Sequence, residues 1–339
     1  MGRHDQDDGE RDPAGGRPAP SGSGARPGGG PTPERGRMSL RTYRRLAVVT
    51  TAGICVLVVA GGVVRLTGSG LGCDDWPNCN STRFIDVSSG HTAIEQVNRL
   101  LSGLIGLPTL ALAVGSFLVR GRRGLRWPAI AVLLTVLANG VVGGIAVRGD
   151  LHPALVQSHF LLAMLSIAFG LVAVRRAGSE PVRITSVRPA PLALVVATFA
   201  ALVTGTVVTG TGPHAGDVDV RRFDLDISAV ARIHSVTVLA AVGFALWIAW
   251  QIRDRAVEWT NTLSTWIFVA LLQGAIGYVQ YFNGVPELLV GAHIALATAL
   301  WSVTVWLALQ SAAPDSADVG RVTSASRDDA FDDRPTTTV

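Results

Sequence analysis

Lysine is missing from all 339 residues, and charged residues of every kind make up only 16% of the chain against 48% hydrophobic. A globular chain carries about 25% charged residues, so this shortfall excludes a soluble enzyme or a disordered protein and points to a membrane. Mean hydropathy of +0.38 is reached despite polar ends, and several stretches of about 20 residues are nearly uncharged, enough to cross a bilayer core as helix. The net charge of +4 and pI near 9.5 would also suit a nucleic-acid binder. The arginines, however, lie in the tail and in short connections between apolar runs, where the positive-inside rule places them, so nucleic acid is not expected as a partner. The first 44 residues also lack the short apolar core and small-residue cleavage site of a signal peptide, so the first apolar run is expected to be kept as a span.

What is present organises itself around eight apolar runs, at about 45–65, 97–119, 128–147, 153–174, 190–210, 230–251, 262–281 and 286–309. With no water in the hydrocarbon, each must satisfy its own backbone and is predicted to be a helix. Residues 1–44, rich in Gly, Pro, Arg and Asp, and residues 312–339 are read as disordered cytoplasmic tails. Arg120, Arg122, Arg123 and Arg126 follow the second run, Arg175, Arg176, Arg183 and Arg188 the fourth, and Arg253 and Arg255 the sixth. The expectation is a multi-pass protein of the cell membrane with both termini cytoplasmic.

The chain also repeats itself. "GVVGGIAVRGDLHPALVQSHF" from Gly140 aligns with "GAIGYVQYFNGVPELLVGAH" from Gly274, placing His159 on His293. "TGSG" at Thr67 answers "TGTG" at Thr209, and "VNRLLSG" answers "RIHSVTV". The fold class expected is an all-α integral membrane protein, eight transmembrane helices forming two tandem pseudo-symmetric four-helix bundles. Their bounds are 45–178 and 190–311, with a cytoplasmic linker at 179–189.

Of seven histidines, His234 and His293 carry the most weight. By the apolar runs they sit about four and seven residues from the outer ends of their helices, about 6 and 10 Å deep. Two imidazoles level with each other on separate helices of one bundle suit six-coordinate heme iron; a buried, hydrogen-bonded histidine is the plainer alternative. In the first half His159 matches His293, but Asn98 stands opposite His234, and Asn is a poor iron ligand. That half is expected to hold a heme by His159 alone or with a sixth ligand from elsewhere, for which His91, His152 and His214 in or near the outer loops are candidates beside their ordinary role as solvated residues. Glu95, one turn before Asn98, is a candidate for proton movement, or simply an acid favoured by a helix N-terminus. Arg99 and Arg232 are candidates for pairing with heme propionates, or for snorkelling to the interface. Cys73 and Cys79, in "CDDWPNC" of the first outer loop, are expected to form a disulfide, open to a redox or gating part; two cysteines alone make a poor zinc site. Cys55, mid-helix, reads as a small core residue.

Taken together, "GGVVRLTGSGLGCDDWPNC", "IEQVNRLLSG", "QSHF", "RIHS" and "GAHIALA" resemble the heme A synthases of bacteria, of actinobacterial type, over about residues 45–310. The resemblance implies oxidation of the C8 methyl of heme O to the formyl of heme A by successive hydroxylations. It also implies heme b held by His234 and His293 in the C-terminal half and a substrate site for heme O in the N-terminal half, with Glu95 important for conversion and the cysteine pair for activity or heme transfer. Many members have histidine where Asn98 stands, so His159 is left as the implied ligand to the substrate iron. Heme O synthase, terminal oxidase assembly proteins, an electron donor and membrane lipid are the implied partners. A diheme quinol-oxidising cytochrome b and a heme-carrying chaperone are the rival readings.

Overall fold

The computed structural model describes residues 38–178, 182–217, 219–255 and 257–314. Among them lie eight α-helices, each long and apolar enough to cross a membrane: α1 Leu40–Leu66, α2 Gly90–Leu118, α3 Arg126–Arg148, α4 Pro153–Arg176, α5 Pro189–Thr211, α6 Ile227–Ile252, α7 Thr260–Phe282 and α8 Glu287–Gln310. The protein is an all-helical membrane protein, and its described residues contain no strand beyond a single bridge between Val182 and Pro314. The expected tails fall largely outside the described residues.

Three helices begin three or more residues before their apolar runs, because capping rather than hydropathy sets where they start. Ser39 caps α1, its hydroxyl accepting from Thr42 N–H at 3.1 Å, so residues 40–44 are helical rather than part of the tail. Ser89 caps α2 in the same way, accepting from Thr92 N–H at 3.1 Å, which brings Glu95 inside the helix. Asp226 caps α6 through Ser228 N–H at 2.8 Å. Each cap satisfies an amide that the first turn would otherwise leave open.

Packing contacts close α1–α2–α3–α4 into one ring and α5–α6–α7–α8 into another, and the rings meet along α1, α4, α5 and α8. We call the face bearing the α1–α2, α3–α4, α5–α6 and α7–α8 connections the outer face. The tightest packing is on the inner side. Tyr43, Leu112, Leu125 and Ala129 fill the inner end of the first ring; Leu194, Ile248, Trp259, Leu263 and Trp266 fill that of the second. A third cluster, with Ile54, Val132, Met164, Ile167, Trp301 and Val305, occupies the seam. Large apolar side chains such as Val56, Leu107, Phe268 and Phe282 project outward, as expected where lipid is the solvent.

The α3–α4 and α7–α8 hairpins turn alike. Asp150 and Leu151 have φ of 50° and 51°, Gly284 and Val285 have 73° and 60°, and Leu151 N–H reaches Ala146 O at 2.8 Å as Val285 N–H reaches Gln280 O at 2.7 Å. Each pair of left-handed residues closes the preceding helix and starts the next within a few residues.

Trp301 ties the rings together. It is 3% exposed, and its indole N–H donates to the Met164 carbonyl of α4 at 2.8 Å. W301F is expected to lower stability by about 1 kcal/mol through the lost hydrogen bond and W301A by about 3–5 kcal/mol through the cavity. Unfolding of the purified protein in detergent checks this, and an unchanged W301A midpoint would show that the seam does not rest on this residue.

Candidate functional site

His234 and His293 sit seven and six residues past the first residues of α6 and α8, about 10 and 9 Å along the helix axes. The early start of α6 therefore deepens His234 from the 6 Å read off the sequence, and the two levels agree better than expected. Their helices stand on a diagonal of the second ring. His234 Nδ1 lies 3.1 Å from Thr204 Oγ1, whose own proton goes to the Ala200 or Ala201 carbonyl. With the hydroxyl donating there, it accepts from Nδ1, and Nε2 keeps its lone pair. His293 Nδ1 is buried, turned toward the Gln273 carbonyl of α7 but short of a hydrogen bond. Gln273 is fixed by its Nε2 donating to the His293 carbonyl at 3.0 Å.

In the first ring His159 lies six residues past the start of α4, and Asn98 eight past the start of α2, again on the diagonal. His159 Nδ1 is 3.1 Å from the Asn139 carbonyl of α3. A carbonyl only accepts, so this imidazole also holds its proton on Nδ1 and keeps a lone pair on Nε2. Asn98 Oδ1 is buried without a partner. All three rings pack against glycine. A Cβ on Gly143 would stand 2.9 Å from His159 Cε1, on Gly205 3.0 Å from His234 Cε1, and on Gly277 3.1 Å from His293 Cε1. Any side chain there would push the imidazole aside.

Glu95, 4% exposed, is tied to the outer loop. Its Oε2 accepts from Cys73 N–H at 2.6 Å, and its Oε1 from Arg99 Nη2 at 2.6 Å and Nε at 3.0 Å. Arg99 spends its remaining N–H groups on the carbonyls of Asp75 at 2.8 Å, Asn78 at 3.0 Å and Cys73 at 3.4 Å. All five donors of the guanidinium are thus engaged by protein, with none left over for a propionate in this arrangement. Cys73 and Cys79 form the disulfide that closes this loop, and both are buried. From α3, Arg148 donates to the Trp76 carbonyl and to Asp75 Oδ1 at 3.3 Å, while the Trp76 ring lies on Gly144. The loop is a lid over the α2–α3 side of the first ring.

The remaining candidates are placed elsewhere. His91 bonds Ser69 Oγ at 3.0 Å, His152 caps α4 by accepting from Ala154 N–H at 3.3 Å, and His214 donates to the Val285 carbonyl at 2.8 Å. Arg232 is exposed on α6. Cys55 is half-buried, 4.0 Å from Ser302 Oγ. Sequence reasoning missed Thr204, Arg148, Trp76 and the three glycines. Gly143 and Gly277 were within reach, since both stand 16 residues before their histidines in the aligned repeat.

The Trp76 N–H, at 2.6 Å, and then Arg148 hold the Asp75 carboxyl below the usual carboxylate range. A depressed folded value means that its contribution is complete above the ordinary Asp value of about 3.9 and is lost only as pH falls through the lower folded one. Loop amides are therefore expected to keep their hydrogen-exchange protection between pH 8 and 5, whereas D75N weakens it throughout. Protection that already falls by pH 5 in the unaltered protein would show that another group controls the lid.

Residues 44–216 match the cytochrome oxidase assembly protein family (COX15-CtaA). The chain is similar to the heme A synthase of Exiguobacterium sp., at 32% identity over 124 residues, 36% of this chain and 41% of that protein. The heme A synthase of Geobacillus kaustophilus is 28% identical over 130 residues, 38% of this chain and 41% of the relative. That of Bacillus mycoides is 32% identical over 130 residues, 38% and 42%. The chain thus spans about two-fifths of the length of the curated relatives it matches. The family match takes in the disulfide loop, Glu95, Asn98, Arg99 and His159, and His234 and His293 follow it in the chain. With just over half of its residues matched, from within α1 to the connection after α5, this chain belongs to the cytochrome oxidase assembly protein family.

Proposed function

We propose that the protein is a heme A synthase, oxidising the C8 methyl of heme O to a formyl group in two hydroxylations at one carbon, the resulting hydrate losing water. The observation that carries this reading is the pair of level imidazoles, His234 and His293, on diagonal helices of one ring. The likeness to heme A synthases names the reaction. The residues fit a heme, whose iron the imidazoles of His234 and His293 would hold. Gly205 and Gly277 leave each ring the room it occupies. When bound, heme b supplies one-electron transfer. His234, with Nδ1 tied to Thr204, and His293 would hold it.

The duplicated hairpins, Asp150–Leu151 and Gly284–Val285, and the glycine beside each second-hairpin histidine support a tandem repeat, with the first ring as the substrate half. There His159 would hold the iron of heme O through Nε2, Asn98 would offer the substrate a polar group rather than a ligand, and the lid shields the outer mouth from water. Glu95 holds or takes a proton near the reacting methyl, with Arg99 fixing its position. The inner face is read as cytoplasmic, which the arginine-rich connections support, and the membrane as the cell membrane.

Heme extraction after co-expression with a heme O source tests the reading. Formyl-bearing heme is expected from the unaltered chain; unchanged heme alone would instead fit a carrier or an electron-transfer cytochrome. H234A and H293A are each expected to abolish the low-spin heme spectrum. E95A should keep that spectrum and lower heme A yield by about 100-fold or more, the range of a lost acid–base group. Undiminished heme A from E95A would remove Glu95 from the reaction.

A further inference from the structure

Where α2 gives way to α3 on the inner face, the chain reads Val119-Arg-Gly-Arg-Arg-Gly-Leu-Arg126. Gly121, at φ of +70°, reverses the chain, Leu125 anchors it in the inner core at 0% exposure, and a single 3-10 turn, Arg123–Leu125, leads into α3. The result is a concavity of about 480 Å³ lined by Arg120, Arg122, Arg123 and Arg126 together with Phe117 and Val119. No carboxylate is among its described lining residues. Arg126 stacks its guanidinium 4.8 Å above the Phe117 ring, and its Nε is buried without a partner. Arg120 and Arg122 have protein partners as well, so Arg123 and Arg126 are the two that matter most.

We propose that this corner is a binding site for the headgroup of an anionic phospholipid, its phosphate held by the Arg123 and Arg126 guanidinia. Positive-inside topology explains why arginines lie on this face; it does not explain why four converge on one hollow at the start of a helix, whose dipole also favours an anion. Guanidinium forks match the geometry of phosphate oxygens. The choice of a lipid over a soluble anion follows from the rim. Phe117, Leu118 and Trp127 are 54%, 41% and 43% exposed, and Trp127 is braced edge-on by Phe169 at 6.2 Å between ring centres. That is the placing of an interfacial aromatic. Such a rim offers acyl chains a surface and offers a soluble anion nothing. Basic pockets between helices at this level are the general pattern of headgroup recognition.

Native mass spectrometry of the full chain in detergent, titrated with phosphatidylglycerol against phosphatidylcholine, tests the site without reference to heme chemistry. R123Q/R126Q is expected to weaken phosphatidylglycerol binding by about 30-fold, at ~1 kcal/mol per arginine, while R253Q/R255Q, which removes equal charge from another connection on the same face, leaves binding near its original strength. Equal losses in both would overturn the proposal, since diffuse surface charge would then suffice. R123K/R126K guards against a folding defect: it keeps the charge but loses the forks, and is expected to bind several-fold more weakly. Full binding by the lysine pair would overturn the assignment to guanidinium. Inorganic phosphate that displaced the lipid at equal concentration would also overturn it, as a site for a soluble anion.

Discussion

Carrying a polar ring into hydrocarbon costs less when one of its nitrogens is hydrogen-bonded, and such a bond positions His234 and His159 in the outer halves of the two helical rings, whereas His293 Nδ1 is buried without one. Thr204 supplies it for His234 and the Asn139 carbonyl for His159. In each case the proton is fixed on Nδ1, and the lone pair that remains is the one a metal takes. The same need decides the neighbours. An imidazole wide enough to reach the middle of a ring must lean on something narrow, and glycine on the adjoining helix is what it meets each time.

Charge is handled differently. The first ring carries a buried carboxylate, and its cost is met by an amide and a guanidinium rather than by solvent. Because Arg99 grips three carbonyls of the disulfide loop as well as Glu95, the acid and the lid form one mechanical unit. The second ring has a histidine pair where the first pairs His159 with Asn98. Two rings of like topology thus hold unlike polar contents.

Hydropathy made all eight helices legible, because crossing a bilayer leaves little freedom in length or composition. The helix starts at Leu40, Gly90 and Ile227 were not legible in that way: they depend on a serine or aspartate just before the first turn, which a scale of apolarity passes over. The depth of His234 was misread for the same reason. His159, His234, His293 and Glu95 stood out because each is a polar side chain in an apolar run. The partners of Arg99 did not, since they lie 21 to 26 residues away on a loop whose course no periodicity records. Arg148 and Trp76 were hidden likewise, and Thr204 looks in sequence like any small residue of an apolar helix.

The paired left-handed residues that close α3 and α7 have a consequence for how the molecule can vary. Each second-hairpin histidine follows its turn at the same short remove, six residues past Pro153 and six past Glu287. The turn is a gauge. Each residue added between it and the histidine would swing the imidazole by about 100° and shift it by about 1.5 Å, aiming it at a neighbouring helix or out of the ring. Length changes at the inner ends of α4 and α8 leave the aim of the imidazoles untouched and meet a different constraint, the buried packing of Val174, Ala177, Leu307 and Leu309.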